Sequence, residues 1–256
     1  MPFDKAMTSL CSTFVIILAT MLDFRHALPN TDTQEMNVQK FITRQVNRYR
    51  RSVDAADMLE ISWDFEARVL AQKLTDRCDF RPPRNDAEKA MFLKTKKYTC
   101  SLNMARGTGE LGWNETLKMW FDEKRDFQYG IDTRRPVSQY TALIRSKTYR
   151  FGCGYTQCRK GSPLAFDFFA CTFCPGRNVG ADEFRPYEQG QRCGRCPNAC
   201  SDGLCTNPCL EANVFANCDT ELFPDGCDGI PNSSPLAPFR EQCQATCQCR
   251  RQGLMY

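Results

Sequence analysis

Apolar and polar positions along this chain follow two different periods, and the change from one to the other divides it. Val38, Phe41, Ile42, Gln45 and Tyr49 recur at helical spacing with charges on the other face, which predicts an amphipathic helix. A second helix is expected to start at Asp64, whose carboxylate suits the free amides of a first turn, and to bury Phe65, Val69, Leu70 and Leu74. A third runs from Trp113 to about Phe127 with Leu117, Trp120 and Phe121 inward. Beyond Pro136 the pattern turns strand-like. Tyr140–Ile144, Tyr149–Tyr155 and Ala165–Phe173 are rich in Tyr, Phe and Ile and are broken by glycine-containing turns. Helices first and strands late, without βαβ alternation, predict an α+β fold: layers around a mainly antiparallel sheet.

The first thirty residues obey neither period. Lys5 lies in a short polar start, and an apolar run from Phe14 to Leu22 follows that is too short to span a bilayer. Residues 1–27 are expected to be a secretory signal peptide, with Ala27 as its last residue, and no transmembrane segment is expected elsewhere. This reading gives weight to two counts among the 256 residues, 17 Cys and a single His. His26 falls inside the leader, so a mature chain without histidine has no Ser-His-Asp triad, Cys-His dyad, His-ligated zinc or imidazole switch. Cys11 leaves with it, and the remaining sixteen cysteines are even in number, as eight disulfides in an oxidising compartment require.

Six of those cysteines lie in residues 28–175 and ten in residues 193–249. The first region must therefore fold around a hydrophobic core, and the second depends on its staples, each adding about 3 kcal/mol. Cys171-x2-Cys174 and Cys193-x2-Cys196 have the spacing of zinc half-sites, but secretion and even parity favour disulfides. Charge divides at the same place. Residues 28–175 carry 25 basic and 18 acidic groups, whereas residues 176–256 carry 7 and 10. The basic excess includes Arg48, Arg50 and Arg51, Lys94, Lys96 and Lys97, and Arg134 and Arg135. It reads as a solvated cationic surface, or as one that attracts an anionic glycan; nucleic acid is not expected at a net charge of +4.

Several stretches resemble the cysteine-rich secretory proteins: Asn47-Arg48-Tyr49-Arg50-Arg51-Ser52-Val53, Met58-Leu59-Glu60-Ile61-Ser62-Trp63 and Trp120-Phe121-Asp122-Glu123. Tyr140-Thr141, Gly152-Cys153-Gly154, Tyr187-x-x-Gly190 and Gly203-Leu204-Cys205-Thr206-Asn207-Pro208-Cys209 do too, and the cysteine ladder ends in Cys243-x3-Cys247-x-Cys249. The resemblance implies a CAP domain over residues 36–175, an α-β-α sandwich. It further implies a cystine-rich hinge over 193–209 and a small helical cysteine-rich domain over 209–249, similar to sea-anemone potassium-channel toxins. The family's pairing implies Cys78–Cys158, Cys100–Cys174 and Cys153–Cys171, then Cys193–Cys200 and Cys196–Cys205, then Cys209–Cys249, Cys218–Cys243 and Cys227–Cys247. Spacing alone does not choose among connectivities.

The same resemblance exposes a departure. CAP domains usually hold a cleft with two His and two Glu that can bind a divalent metal. Those four positions fall here on Val46, Leu102, Glu123 and Gln139. One carboxylate and one amide cannot assemble a zinc site or a His-assisted hydrolytic centre, so no cofactor, metal or catalytic residue is expected. Glu123 reads as a helix residue or a buried hydrogen-bond partner. The last domain departs as well: there is no Lys after Lys160, which removes the lysine plug of pore-blocking toxins and leaves contact to Phe215, Phe223 or Phe239, one or two of which are expected in the core. The stretch between Cys227 and Cys243 reads as an exposed loop, and Asn114 and Asn232 stand in glycosylation sequons. The expectation is a secreted, non-enzymatic regulator that binds an ion channel or receptor at a cell surface, in the setting of reproductive secretions. A glycan- or lipid-binding protein is the alternative, and a secreted hydrolase or venom-type toxin is less favoured.

Overall fold

The structure is a computed structural model that describes residues 31–109, 111–176, 184–211, 213–215 and 217–255. The expected leader, with Cys11 and His26, lies outside the described residues. Helix α1 is Met36–Arg51 and buries Val38, Ile42 and Val46, as the apolar spacing predicts. Strand β1 (Ser62–Trp63) leads into α2 (Phe65–Asp76), where Asp64 Oδ1 accepts the amide of Ala67 at 2.9 Å. The inward set differs from expectation, since Ala67, Leu70, Ala71 and Leu74 are buried while Phe65 is 70% exposed and Val69 half-buried. At about 100° per residue Phe65 falls on the helix face opposite Ala67, Leu70, Ala71 and Leu74, and Arg68 lies over its ring. Helix α3 (Asp86–Leu93) and strand β2 (Ser101–Gly107) were not foreseen in the apolar pattern. Helix α4 (Trp113–Asp122) continues as a 3-10 turn over Glu123–Asp126. Leu117 and Trp120 are buried, whereas Phe121 is only half-buried.

The segment expected as a strand over Tyr140–Ile144 is instead helix α5, Ser138–Leu143. Its β-favouring residues are overridden because both of its ends are held by charged groups from elsewhere in the chain. Strands β3 (Arg150–Cys158) and β4 (Phe166–Cys174) then form an antiparallel pair with Cys153 opposite Cys171. The sheet order is β1-β3-β4-β2, with β1 parallel to β3 and the remaining pairs antiparallel.

Alternation along β4 feeds two cores. Phe169, Cys171 and Phe173 join the cluster built with α1, α4 and α5, while Phe168 and Ala170 meet Ala71, Leu74 and Phe92 from α2 and α3. The sandwich is therefore helix, sheet, helix. Glycine brings one pair of layers into direct contact: a Cβ on Gly152 would lie 2.1 Å from Arg68 N, and one on Gly154 would lie 2.4 Å from Gln72 N. Helix α2 rests on the bare backbone of β3.

Among the described residues eight disulfides complete the frame. Cys78–Cys158, Cys100–Cys174 and Cys153–Cys171 lie in the sandwich, and Cys193–Cys200 and Cys196–Cys205 lie in the segment that follows. Cys209–Cys249, Cys218–Cys243 and Cys227–Cys247 hold the C-terminal module. The middle segment contains a small hairpin, β5 (Cys200–Ser201) with β6 (Leu204–Cys205). It is sewn to the sandwich through residues 56–60: Ala56 N donates to Glu188 O, Cys205 N to Met58 O and Glu60 N to Cys205 O.

Arg50 is not part of the cationic surface expected for it. It is fully buried, and its guanidinium donates to the carbonyls of Leu59, Leu143, Arg145, Ser146 and Thr148 at 2.8–3.2 Å. Replacing it with Met removes every donor and leaves buried carbonyls unsatisfied, so Arg50→Met is expected to cost at least about 3 kcal/mol. Arg50→Lys, with a single ammonium, should recover only part of that. Guanidinium unfolding with the disulfides intact checks this, and a loss below about 1 kcal/mol for Arg50→Met would contradict the role.

Candidate functional site

The four positions matching the family's metal cleft do not come together as a ligand set. Val46 is fully buried in the core with Trp120 and Tyr140. Leu102 packs with Ala71, Leu74 and Phe92, on the α2–α3 side of the sheet, which corrects its assignment to the cleft. Strand alternation turns the next residue, Asn103, to the other side, where Asn103 Nδ2 donates to Gln139 O at 2.9 Å. Glu123 and Gln139 do meet. Glu123 Oε2 accepts the amides of Gln139 (2.9 Å) and Tyr140 (3.0 Å), and Oε1 accepts Gln139 Nε2 at 3.3 Å. Gln139 Oε1 in turn accepts the amide of Met104 at 3.2 Å, and Trp120 Nε1 donates to Met104 O.

This is a capping arrangement. Helix α5 has Val137 before it, which offers no side-chain acceptor, and Glu123 supplies one from the end of α4 to two of the amides that open the helix. Burial raises the Glu123 pKa, and the backbone hydrogen bonds from Tyr140 and Gln139 oppose that rise without cancelling it. With both oxygens engaged and no imidazole among Val46, Leu102, Glu123 and Gln139, the donor set does not fit a divalent metal. Asn103 and the Met104 backbone belong to the network and were missed from sequence; the adjacent Cys100-Ser101-Leu102-Asn103 run was the signal available.

In the C-terminal module Phe223 is buried in a cluster with Cys218 and Cys243, so it serves as core. Phe215 and Phe239 remain 40% and 38% exposed and meet edge to face at 6.1 Å. Val214, 72% exposed, is tied beside them by its amide to Gln242 O. Among the other expected positions, Asn114 is exposed but is the second residue of α4, whose cap is Gly112, and its sequon partner Thr116 is fully buried. Asn232 is exposed, with Oδ1 accepting from Arg240 at 3.0 Å.

Residues 43–173 match the family model described as "Cysteine-rich secretory protein family", and residues 193–253 match the model "Crisp". The chain belongs to the cysteine-rich secretory protein family. Human cysteine-rich secretory protein 3 is 32% identical over 228 residues, covering 87% of this chain and 86% of its own length. "Cysteine-rich venom protein VAR11" of Varanus varius is 31% identical, covering 85% and 86%. The crystal structure of NaASP2 with Zn2+ shares the fold at a TM-score of 0.55 and 20% identity, covering 70% of this chain and 100% of that one. In this cysteine-rich secretory protein the Glu123 carboxylate is spent on a helix terminus. Among the described residues the one cluster with metal-ligand proximity is Cys193, Cys196 and Cys205, and all three are in disulfides.

Burial of the Glu123 carboxyl carries a pH signature. A raised Glu123 pKa means that the folded chain holds this proton more tightly than the unfolded one. Its contribution is full below the ordinary glutamate range and is lost as pH rises through the folded value. As pH rises from the ordinary glutamate range through the raised folded value, the wild type should therefore lose stability relative to Glu123→Gln, read as a pH-dependent gap between guanidinium midpoints. Glu123→Ala strands two amides and should cost about 1–2 kcal/mol. A gap that does not change with pH would rule the signature out.

Proposed function

We propose that this chain acts outside the cell as a non-enzymatic binding protein that engages an ion channel or receptor on a cell surface, in the setting of reproductive secretions. Membership of a family of secretory proteins supports the extracellular location. Among the described residues no helix is long and apolar enough to cross a membrane. The absence of enzymatic activity is supported by the chemistry of the cleft, where the only carboxylate of the four positions is a helix cap.

The observation that carries the binding reading is the Val214, Phe215 and Phe239 patch. A disulfide-clamped module has buried one phenylalanine, Phe223, and left two others paired at the surface beside Val214. Rigid exposed aromatics of this kind anchor protein interfaces, because they bring large apolar area at little entropic cost. Glu221 and Glu241 are exposed on the same module, and its acidic excess suits the basic rim of a partner more than an anionic pore mouth.

The double variant Phe215→Ser/Phe239→Ser should reduce saturable binding of the refolded protein to target cells by about 30-fold or more. Glu123→Gln should leave that binding unchanged. Whole-cell current recordings and sperm-motility measurements provide the functional readout. Undiminished binding in the double variant would overturn the assigned surface. Turnover of a peptide or ester substrate that disappears in Glu123→Gln would overturn the non-enzymatic reading.

A further inference from the structure

Helix α1 contains no acidic residue in its sixteen positions, yet it carries Lys40, Arg44, Arg48, Arg50 and Arg51. Arg50 is buried against carbonyls, and Arg51 is paired with Asp202 at 2.8 Å. The other three, Lys40, Arg44 and Arg48, are exposed and follow one another at i, i+4 and i+8, which places them in a single row. None of them takes part in an ion pair found among the described residues. Like charges at this spacing oppose helix formation, so the row is a cost that the fold of α1 does not require. The row runs about 12 Å along the helix axis.

One further cation lies beside the row, on a turn that also carries Asp126. Tyr49 stacks on Phe121 at 4.1 Å, and Lys124 Nζ lies 5.6 Å from the centre of the Phe121 ring, continuing the positive face from α1 onto the turn after α4. The carboxylates bordering it, Asp122 and Asp202, are engaged by Lys118 and Arg51, and Glu35 stands just before the helix. The apolar side of α1 is not available to enter a lipid phase, because Val38, Ile42 and Val46 are 6%, 0% and 0% exposed. A linear row of unpaired cations without an apolar anchor fits a soluble, linear polyanion whose charges repeat along its length.

We propose that the solvent face of α1 binds a sulfated glycan, with Lys40, Arg44 and Arg48 taking successive sulfate groups and Lys124 extending the site. Two of the three side chains are guanidinium groups, which bind planar or tetrahedral oxyanions through paired N–H donors. The site is separate from the Val214, Phe215 and Phe239 patch and does not rest on the receptor reading. A glycan held on the sandwich would concentrate the protein at a cell surface while leaving the C-terminal module to its own partner.

Immobilised heparin is the probe, used with the full secreted chain. The wild type should elute above about 0.15 M salt, and the triple variant Lys40→Ser/Arg44→Ser/Arg48→Ser should lose about tenfold or more in affinity and elute below it. A control triple at Lys94, Lys96 and Lys97 removes the same charge elsewhere and should change affinity less than about twofold. Arg44→Lys/Arg48→Lys keeps the charge but not the paired donors and should bind more tightly than the triple serine variant and less tightly than the wild type, and desulfated heparin should not bind. Phe215→Ser/Phe239→Ser should bind heparin like the wild type. Equal losses in the two triples would overturn the site by reducing it to net charge. Failure of the wild type to bind heparin while it sediments with phosphatidylserine vesicles would overturn the glycan and indicate a membrane surface instead.

Discussion

A single buried guanidinium sets the constraint that the rest of the sandwich satisfies. Removing a cation from water is so costly that it persists only where its donors are all met, and burial pulls the Arg50 pKa down to about 9 while Asp57 works against that fall. The carbonyls that meet it come from residues far apart in sequence: Leu59 before β1, Leu143 at the end of α5, and Arg145, Ser146 and Thr148 in the turn before β3. The guanidinium draws those segments together by gathering five carbonyls, of which Arg145 O and Ser146 O also accept the amides of Thr148 and Leu59. Asp57 extends the same knot outward, accepting from Ser146 Oγ and from the amide of Glu188. The disulfide-rich segment is thereby tied to the sandwich by the polar network that fixes the sandwich itself.

Helix α5 shows what this knot does to local preference. Six residues cannot sustain a helix alone, and Tyr140, Thr141 and Ile144 favour strands. Glu123 supplies negative charge at its first amides, and Arg50 supplies positive charge at the Leu143 carbonyl. Each complements the helix dipole at its own end. The pattern of apolar residues is compatible with either state, and two charged side chains from α4 and α1 decide between them. Both partners are distant in sequence, 16 or 17 residues for Glu123 and 93 for Arg50, so no local reading of this segment finds them.

Elsewhere the legibility of the chain follows from how local the deciding physics is. The spacing of Val38, Ile42 and Val46 specifies α1 because one face of that helix is wholly buried. Asp64 announces α2 because capping is settled within three residues. Strand β2 escaped notice because its seven residues, Ser-Leu-Asn-Met-Ala-Arg-Gly, carry no aromatic or β-branched side chain; it is a strand because β4 offers it an antiparallel partner from Ser101 to Gly107. The same pairing turns Asn103 rather than Leu102 toward Gln139, which a motif read as a string of letters does not reveal. Disulfide connectivity is beyond spacing for the same reason, since Cys78 and Cys158 meet only once α2 lies on β3.

The replaced cleft then has a physical explanation that requires no ligand. A metal site needs donors with lone pairs to spare, whereas a helix terminus needs acceptors for its amides. Glu123 serves the second need with both oxygens, and Gln139 links that carboxylate to the amide of Met104 on β2. An amide at position 139 donates to one neighbour and accepts from the other at the same time. The result holds α4, α5 and β2 together by hydrogen bonds among uncharged groups and one carboxylate. A scaffold stabilised in this way keeps its polar network inside and leaves the aromatic pair of Phe215 and Phe239 and the cationic row of α1 on the surface.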